Sequence, residues 1–374
     1  MSASTDPVSA GILRRTALFE AHRRWGARLV EFGGWEMPVF YSSILDEHQA
    51  VRKQAGLFDI SHMGEFWIEG PNAAEFLNEL LTNDIARLDV GDGQYTLLLN
   101  ERGGVIDDLI VYRVAAESFL LVVNAAKIEE DRKWIEGRIT TCGIEFRDES
   151  EELAAVALQG PRAAEILTAL NLPGSLPGRN GIVPLTWNGH ALRIARTGYT
   201  GEDGFEVFLS AGAVDALWEE LLAKGKPLGL KPAGLGCRDT LRLEACYPLN
   251  GNDLSPERTP LEAGLGTFVA LGKAADFPGK AILIRQKQAG VPSKLTALRP
   301  VEKSAPPRAH YPLFAGGKPV GEITSGTLSP TLGHGIALGY VETAFAKPGQ
   351  VVQMEVRGQR IPLEVVTKPF YKKL

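Results

Sequence analysis

Gly70-Pro71-Asn72-Ala73-Ala74-Glu75-Phe76-Leu77 returns 90 residues later as Gly160-Pro161-Arg162-Ala163-Ala164-Glu165-Ile166-Leu167. Each copy follows a short apolar run that reads as a strand, Phe66-Trp67-Ile68 and then Ala155-Val156-Ala157-Leu158. Each opens a helix with proline in the first turn, where the missing N–H goes unused. Beyond each copy come an extended segment and a second helix, over residues 126–139 and 213–223, with Trp134 and Trp218 in comparable places. A chance recurrence of one helix start would not bring the later elements with it. The repeated order therefore points to a duplicated α+β unit.

Within the first copy, residues 108–114 and 119–124 are rich in Leu, Ile and Val and are joined by Ala115-Ala116-Glu117-Ser118, the pattern of a hairpin. Strand alternation puts Asp108, Ile110 and Tyr112 on one face and Leu109, Val111 and Arg113 on the other. After about residue 285 short apolar runs at 320–324, 336–341, 351–356 and 361–367 alternate with Gly/Pro turns. That texture predicts a small all-β barrel or sandwich, reached through a linker over residues 286–293.

The chain has 374 residues, enough for two or three domains, and a net charge of −5 with both signs mixed. This balance argues against a nucleic-acid-binding chain. The best apolar run, residues 119–123, is far too short to span a bilayer. Three cysteines without a CxxC pair exclude a disulfide scaffold and a zinc ribbon and suit a reducing compartment. All three are read as buried small hydrophobes. Arg14, Arg15, Arg23, Arg24 and Arg28 crowd the start, but Asp6 and Glu20 interrupt them and no apolar region follows. The expectation there is a short tail before a helix, not a targeting segment.

Several chemistries have no motif. There is no Gly-x-Gly-x-x-Gly, Walker loop, HExxH pair or Gly-x-Ser-x-Gly elbow, and Gly333-His334-Gly335 has the wrong spacing. The six histidines form no cluster, so no metal is expected. Four polar, turn-rich motifs remain. They are Asn100-Glu101-Arg102-Gly103-Gly104-Val105-Ile106-Asp107-Asp108, Arg196-Thr197-Gly198-Tyr199-Thr200-Gly201-Glu202-Asp203-Gly204-Phe205-Glu206, the run 234–245 beginning Gly234-Leu235-Gly236-Cys237-Arg238, and the run 321–333. Singly, the glycines are turns, and Arg238 and Glu244 read as capping or surface charges. Glu206 stands among Phe205, Val207 and Phe208, either on a solvent face or deliberately buried; pattern alone leaves both open.

Together, and with Phe32-Gly33-Gly34-Trp35-Glu36-Met37-Pro38 and Gly56-Leu57-Phe58-Asp59-Ile60-Ser61-His62-Met63-Gly64, these motifs resemble the aminomethyltransferase, or T-protein, family of the glycine cleavage system over residues 16–371. The fold class this implies is α+β: two duplicated, α/β-sandwich-like, folate-binding domains over 1–150 and 151–285, plus a C-terminal all-β barrel over 286–374. The implied reaction transfers the methylene of an aminomethyl group, carried on the lipoyl arm of the H-protein, to tetrahydrofolate. Ammonia leaves, and methylene-tetrahydrofolate and dihydrolipoyl H-protein form. The implied partner is the lipoylated H-protein, with no nucleic acid and no membrane; the implied setting is the cytoplasm, with a monomer outside the complex.

The resemblance also assigns residues. Asp108, the second aspartate of Gly-Gly-x-x-Asp-Asp, matches the catalytic position, where a fixed carboxylate orients the folate nitrogens and handles a proton. Asp107 points to the opposite face and takes a structural role. Glu206 matches the group that accepts two adjacent N–H donors of the pterin. Arg238 matches a substrate-binding arginine that also offsets burial of Glu206. Tyr95, Tyr112, Tyr199 and Tyr247 match flat walls of the folate site, with Asn124 and Met63 as further lining positions. Lys372 stands where some relatives carry an arginine for the folate glutamate tail; it keeps the charge but loses bidentate geometry. Relatives that demethylate other donors, or that serve sarcosine or dimethylglycine oxidation, need a different donor pocket or another domain. A non-catalytic folate-binding branch carries a Lys-Gly-Cys-Tyr-x-Gly-Gln-type motif, where this chain has Cys246-Tyr247-Pro248-Leu249.

Overall fold

In the computed structural model, which describes residues 13–140 and 142–372, both Gly-Pro copies make the same strand-to-helix turn. Strand Gly64–Glu69 leads to helix Ala73–Leu80, and strand Leu153–Gln159 leads to helix Ala163–Thr168. Gly70 and Gly160 take φ of 119° and 133°. A Cβ at Gly70 would meet the Gly143 carbonyl oxygen at 2.0 Å, and one at Gly160 the Gln54 carbonyl oxygen at 2.5 Å. Glycine is required at both turns by conformation and by space. Helix Ala73–Leu80 buries Ala73, Phe76, Leu77 and Leu80, one stripe of a 3.6-residue period, and Ala163, Ile166 and Leu167 repeat its start. The second helices run over Ile128–Glu136 and Val214–Gly225.

The first copy builds a five-stranded sheet in the spatial order Gly93–Leu99, Val105–Ala115, Ser118–Val123, Gly64–Glu69, Glu145–Asp148. The second builds a six-stranded sheet: Ile182–Trp187, His190–Ala195, Gly204–Ser210, Leu153–Gln159, Ala55–Asp59, Leu230–Pro232. The sheets and the sequence copies are not coextensive. Ala55–Asp59, from the first 150 residues, pairs antiparallel with Leu153–Gln159 and parallel with Leu230–Pro232.

Alternation sorts the strand residues into three apolar layers. Leu109, Val111, Phe119 and Leu121 face the helices of the first copy, while Val156, Leu158, Phe205 and Val207 face those of the second. Trp67, Tyr112, Leu120, Val122, Ala155, Ala157 and Phe208 form a third core between the sheets. Two sheets thus pack face to face, each covered outside by helices.

The C-terminal strands close into a six-stranded barrel between Ser293 and Val366. Helix Lys280–Ala289 carries the chain into the stretch expected as linker, because Leu283 anchors it in the core and the turn is not made until Gly290, at φ 84°. Cys237 and Cys246 are buried, but Cys142 is exposed on a turn, which corrects the reading of all three as core residues. The helix expected near the start is Phe19–Arg24; the expected tail, 1–12, lies outside the described residues. No helix among the described residues is long and apolar enough to cross a membrane.

Candidate active site

Strand Val105–Ala115 places Asp108, Ile110 and Tyr112 toward the inter-sheet core, as its alternation predicts. Strand Gly204–Ser210 places Glu206 on the side of Phe208, facing the same gap from the other sheet. The two carboxylates therefore come from opposite walls of one interface, one from each copy.

Asp108 is half-buried. Tyr95 donates to its Oδ2 at 2.9 Å, and Asn124 Nδ2 reaches its Oδ1 at 3.1 Å and its backbone carbonyl at 2.9 Å. Burial, then the neighbouring Asp107 charge, pushes the Asp108 carboxyl up to about 7, against the pull of bonds from Tyr95 and Asn250. Asp107 lies on the opposite face, fully buried, and accepts the Asn124 backbone N–H at 3.0 Å and Nδ2 at 2.8 Å. Asn124 thus grips both aspartates.

Across the gap Glu206 is 7% exposed. Thr197 donates its hydroxyl to Glu206 Oε2 at 2.5 Å and so accepts from the Tyr112 hydroxyl at 2.7 Å. Burial raises the Glu206 carboxyl, while Thr197 and the Arg238 charge pull it back. Arg238 lies in the first turn of the helix Leu235–Glu244; its guanidinium stands 5.0 Å from the Tyr199 ring, and its buried Nη1 has no hydrogen-bond partner among the described residues. Tyr199 stacks on Tyr247 at 5.9 Å and 29°, and its hydroxyl donates to the Pro248 carbonyl.

The structure brings together Asp108, Tyr95 and Asn124 on one wall and Glu206, Arg238, Tyr199 and Tyr247 on the other. Met63 is half-buried against the inter-sheet core. Tyr112, expected as a wall, offers no surface: its ring packs in the core against Phe208 at 6.5 Å, and it touches the site only through Thr197. Lys372 is exposed at the end of the described chain. Thr197 and Asn250 were not singled out by the sequence, although Thr197 lies inside a quoted motif; Asn250 reaches Asp108 from 142 positions away.

The run 321–333 holds the barrel to this site. Ser329 and Thr331 donate hydroxyls to Glu244 at 2.5 and 2.9 Å, the Thr331 backbone N–H donates at 3.0 Å, and Arg52 adds a bond at 2.8 Å. Glu244 is fully buried, not a surface charge. Burial alone would raise its carboxyl; bonds from His48 and Ser329 and the Arg52 charge outweigh it and hold the group at about 2. The helix with Arg238 at its start is therefore gripped at its end by the barrel. Among the described residues no set of three or more His, Cys, Asp or Glu side chains is grouped as a metal site.

Comparison with known proteins agrees with this layout. The GCVT N-terminal domain family matches residues 18–273, and the glycine cleavage T-protein C-terminal barrel domain family matches 294–372. An aminomethyltransferase of Geobacillus sp. is 45% identical over 364 residues, covering 97% of this chain and 100% of the relative. One from Symbiobacterium thermophilum is 47% identical, covering 96% and 98%. The crystal structure of glycine cleavage system aminomethyltransferase T from Bartonella henselae superposes with a TM-score of 0.91 at 38% identity, covering 96% of this chain and 99% of that one. The chain belongs to the aminomethyltransferase family, the T-proteins of the glycine cleavage system.

Proposed function

We propose that this chain moves the methylene of a lipoyl-bound aminomethyl group to tetrahydrofolate, with Asp108 as its catalytic residue and the lipoylated H-protein as the carrier it serves. One observation supports this most. A carboxyl poised near neutrality faces, across one interface, a Glu206–Arg238 pair whose Arg238 Nη1 lacks a partner. A buried guanidinium N–H without an acceptor is costly, and a pterin carbonyl satisfies it. The site residues suit the ligand: Glu206 accepts its paired N–H donors, and Tyr199 and Tyr247 offer flat faces; Lys372 is the cation we assign to its glutamate tail from the resemblance alone.

Tetrahydrofolate, when bound, supplies the nucleophilic nitrogens. Asp108 orients them and, titrating at about 7, accepts and returns a proton at neutral pH. Tyr95 and Asn124 hold its two oxygens in place. A reducing cytoplasm suits three free cysteines and a dithiol product, and a monomer outside the complex is the assembly we infer.

The test measures ammonia release and methylene-tetrahydrofolate formation from aminomethylated lipoyl carrier. Turnover by the wild type, with loss in Asp108→Asn but retained folate binding, upholds the reading. A folded wild type that binds folate and ignores this carrier overturns the donor, and methyl donors are then screened.

A further inference from the structure

Behind Asp108 lies a third acid that the assigned roles do not use. Asp131 sits in the first turn of helix Ile128–Glu136, fully buried, and among the described residues no N–H or hydroxyl donates a hydrogen bond to either of its carboxyl oxygens. What it faces is the Asp107 carboxylate, within hydrogen-bond reach. Two buried carboxyls in contact do not both ionise; they share a proton. Both Asp107 oxygens already accept N–H donors from Asn124, while Asp131 has none. The donors hold the negative charge on Asp107, so the proton belongs to Asp131.

We propose that Asp131 is a protonated positioning residue whose O–H donates to Asp107, keeping Asp107 ionised so that its fixed charge sets how tightly Asp108 holds a proton. The inference rests on the catalytic reading of Asp108 given above. The charged groups around Asp131 are Asp107 on the facing strand and Lys127 and Glu130 beside it on its own helix. Lys127 and the helix N-terminus favour the anion. Burial, then Asp107, prevail and push the group well above the carboxylate range.

Protonation has a consequence that needs no substrate. Unfolded, Asp131 ionises near 3.8; folded, burial and the Asp107 charge hold its proton well above that. Its contribution to stability is complete below the lower value and is lost as pH rises above it. Asp131→Asn keeps a neutral donor to Asp107 and never ionises. Thermal midpoints of the full chain and of D131N, measured from about pH 5 to about pH 8, should diverge in favour of D131N as pH rises. A difference that stays flat with pH overturns the protonated state.

The second measurement is the pH profile of kcat/KM. D131N should overlay the wild type. In Asp131→Ala, Asp107 keeps the two Asn124 donors but loses the Asp131 O–H, so its own proton affinity rises, it repels Asp108 less, and the acid limb should move down by ~0.5 pH unit. An unmoved D131A limb overturns the link to Asp108, and so does a shifted D131N limb, which decides the matter if D131A does not fold. If the wild type shows no transfer at all, the transferase reading fails, and the thermal series still locates the proton.

Discussion

The two copies share a turn, a helix order and an inner sheet face, yet they set their carboxylates in opposite surroundings. Asp108 has an acid, Asp107, beside it, and Asp107 in turn faces a second acid, Asp131. Glu206 has a cation, Arg238, and a hydroxyl donor, Thr197. Acid beside acid raises proton affinity, which suits the proton-handling role proposed for Asp108; acid beside arginine favours charge, which suits the recognition role proposed for Glu206. Glu65, on the inner face of the first sheet, extends the contrast: it is fully buried with neither oxygen bonded, and burial, then Asp148 and Glu206, hold it well above the carboxylate range.

The sharpest break of this contrast is Asp108→Asn. It should lower kcat by ~10²–10⁴ and leave folate affinity near that of the wild type, as measured by turnover and direct titration. Equal losses in both would erase the division between walls.

Next in size is Glu244→Ala, which leaves Arg52 without one of its two buried carboxylate partners and frees the barrel loop. Loss of about 3 kcal/mol is expected, read as a lowered Tm. Glu244 titrates near 4.5 when exposed and at about 2 in place, so its contribution is complete above the first value and vanishes as pH falls through the second. The gap between E244A and wild type should therefore narrow in acid. E244A should also weaken folate binding through the Arg238 helix while leaving the pH limb set by Asp108 in place.

Glu206→Gln should weaken folate binding by ~10–100-fold, the range of one charge-assisted hydrogen bond, with kcat at saturation little changed. A large drop in saturated kcat would give the second wall a share in the chemistry. The smallest effect is Tyr95→Phe. Removing a donor to Asp108 raises its proton affinity, so the acid limb, with its midpoint near 7, should move up by ~0.5 pH unit. A downward shift would contradict the hydrogen-bond direction.

Much of this site was legible locally. The period of two in residues 108–114 places Asp108 with Tyr112 and away from Leu109, and the structure sorts them so. A Glu amid Phe205, Val207 and Phe208 left two readings, and burial at the inter-sheet face is the one realised. Tyr112 could not be judged as wall or core from its strand, because its exposure depends on Phe208 and Thr197 of the other sheet. Glu244 looked like a surface charge because its partners Arg52, Ser329 and Thr331 lie far away in the chain.

By itself the sequence determined the repeated Gly-Pro turn, the all-β texture of the C-terminal part, and the face of the strand that bears Asp108, since these rest on turn chemistry and side-chain period, both local. Tertiary structure alone decided that strand Ala55–Asp59 joins the second sheet, that Asn124 holds Asp107 and Asp108 together, and that Asp131 meets Asp107. Strand partners and buried acid contacts depend on which surfaces meet after folding, and no local pattern encodes that meeting.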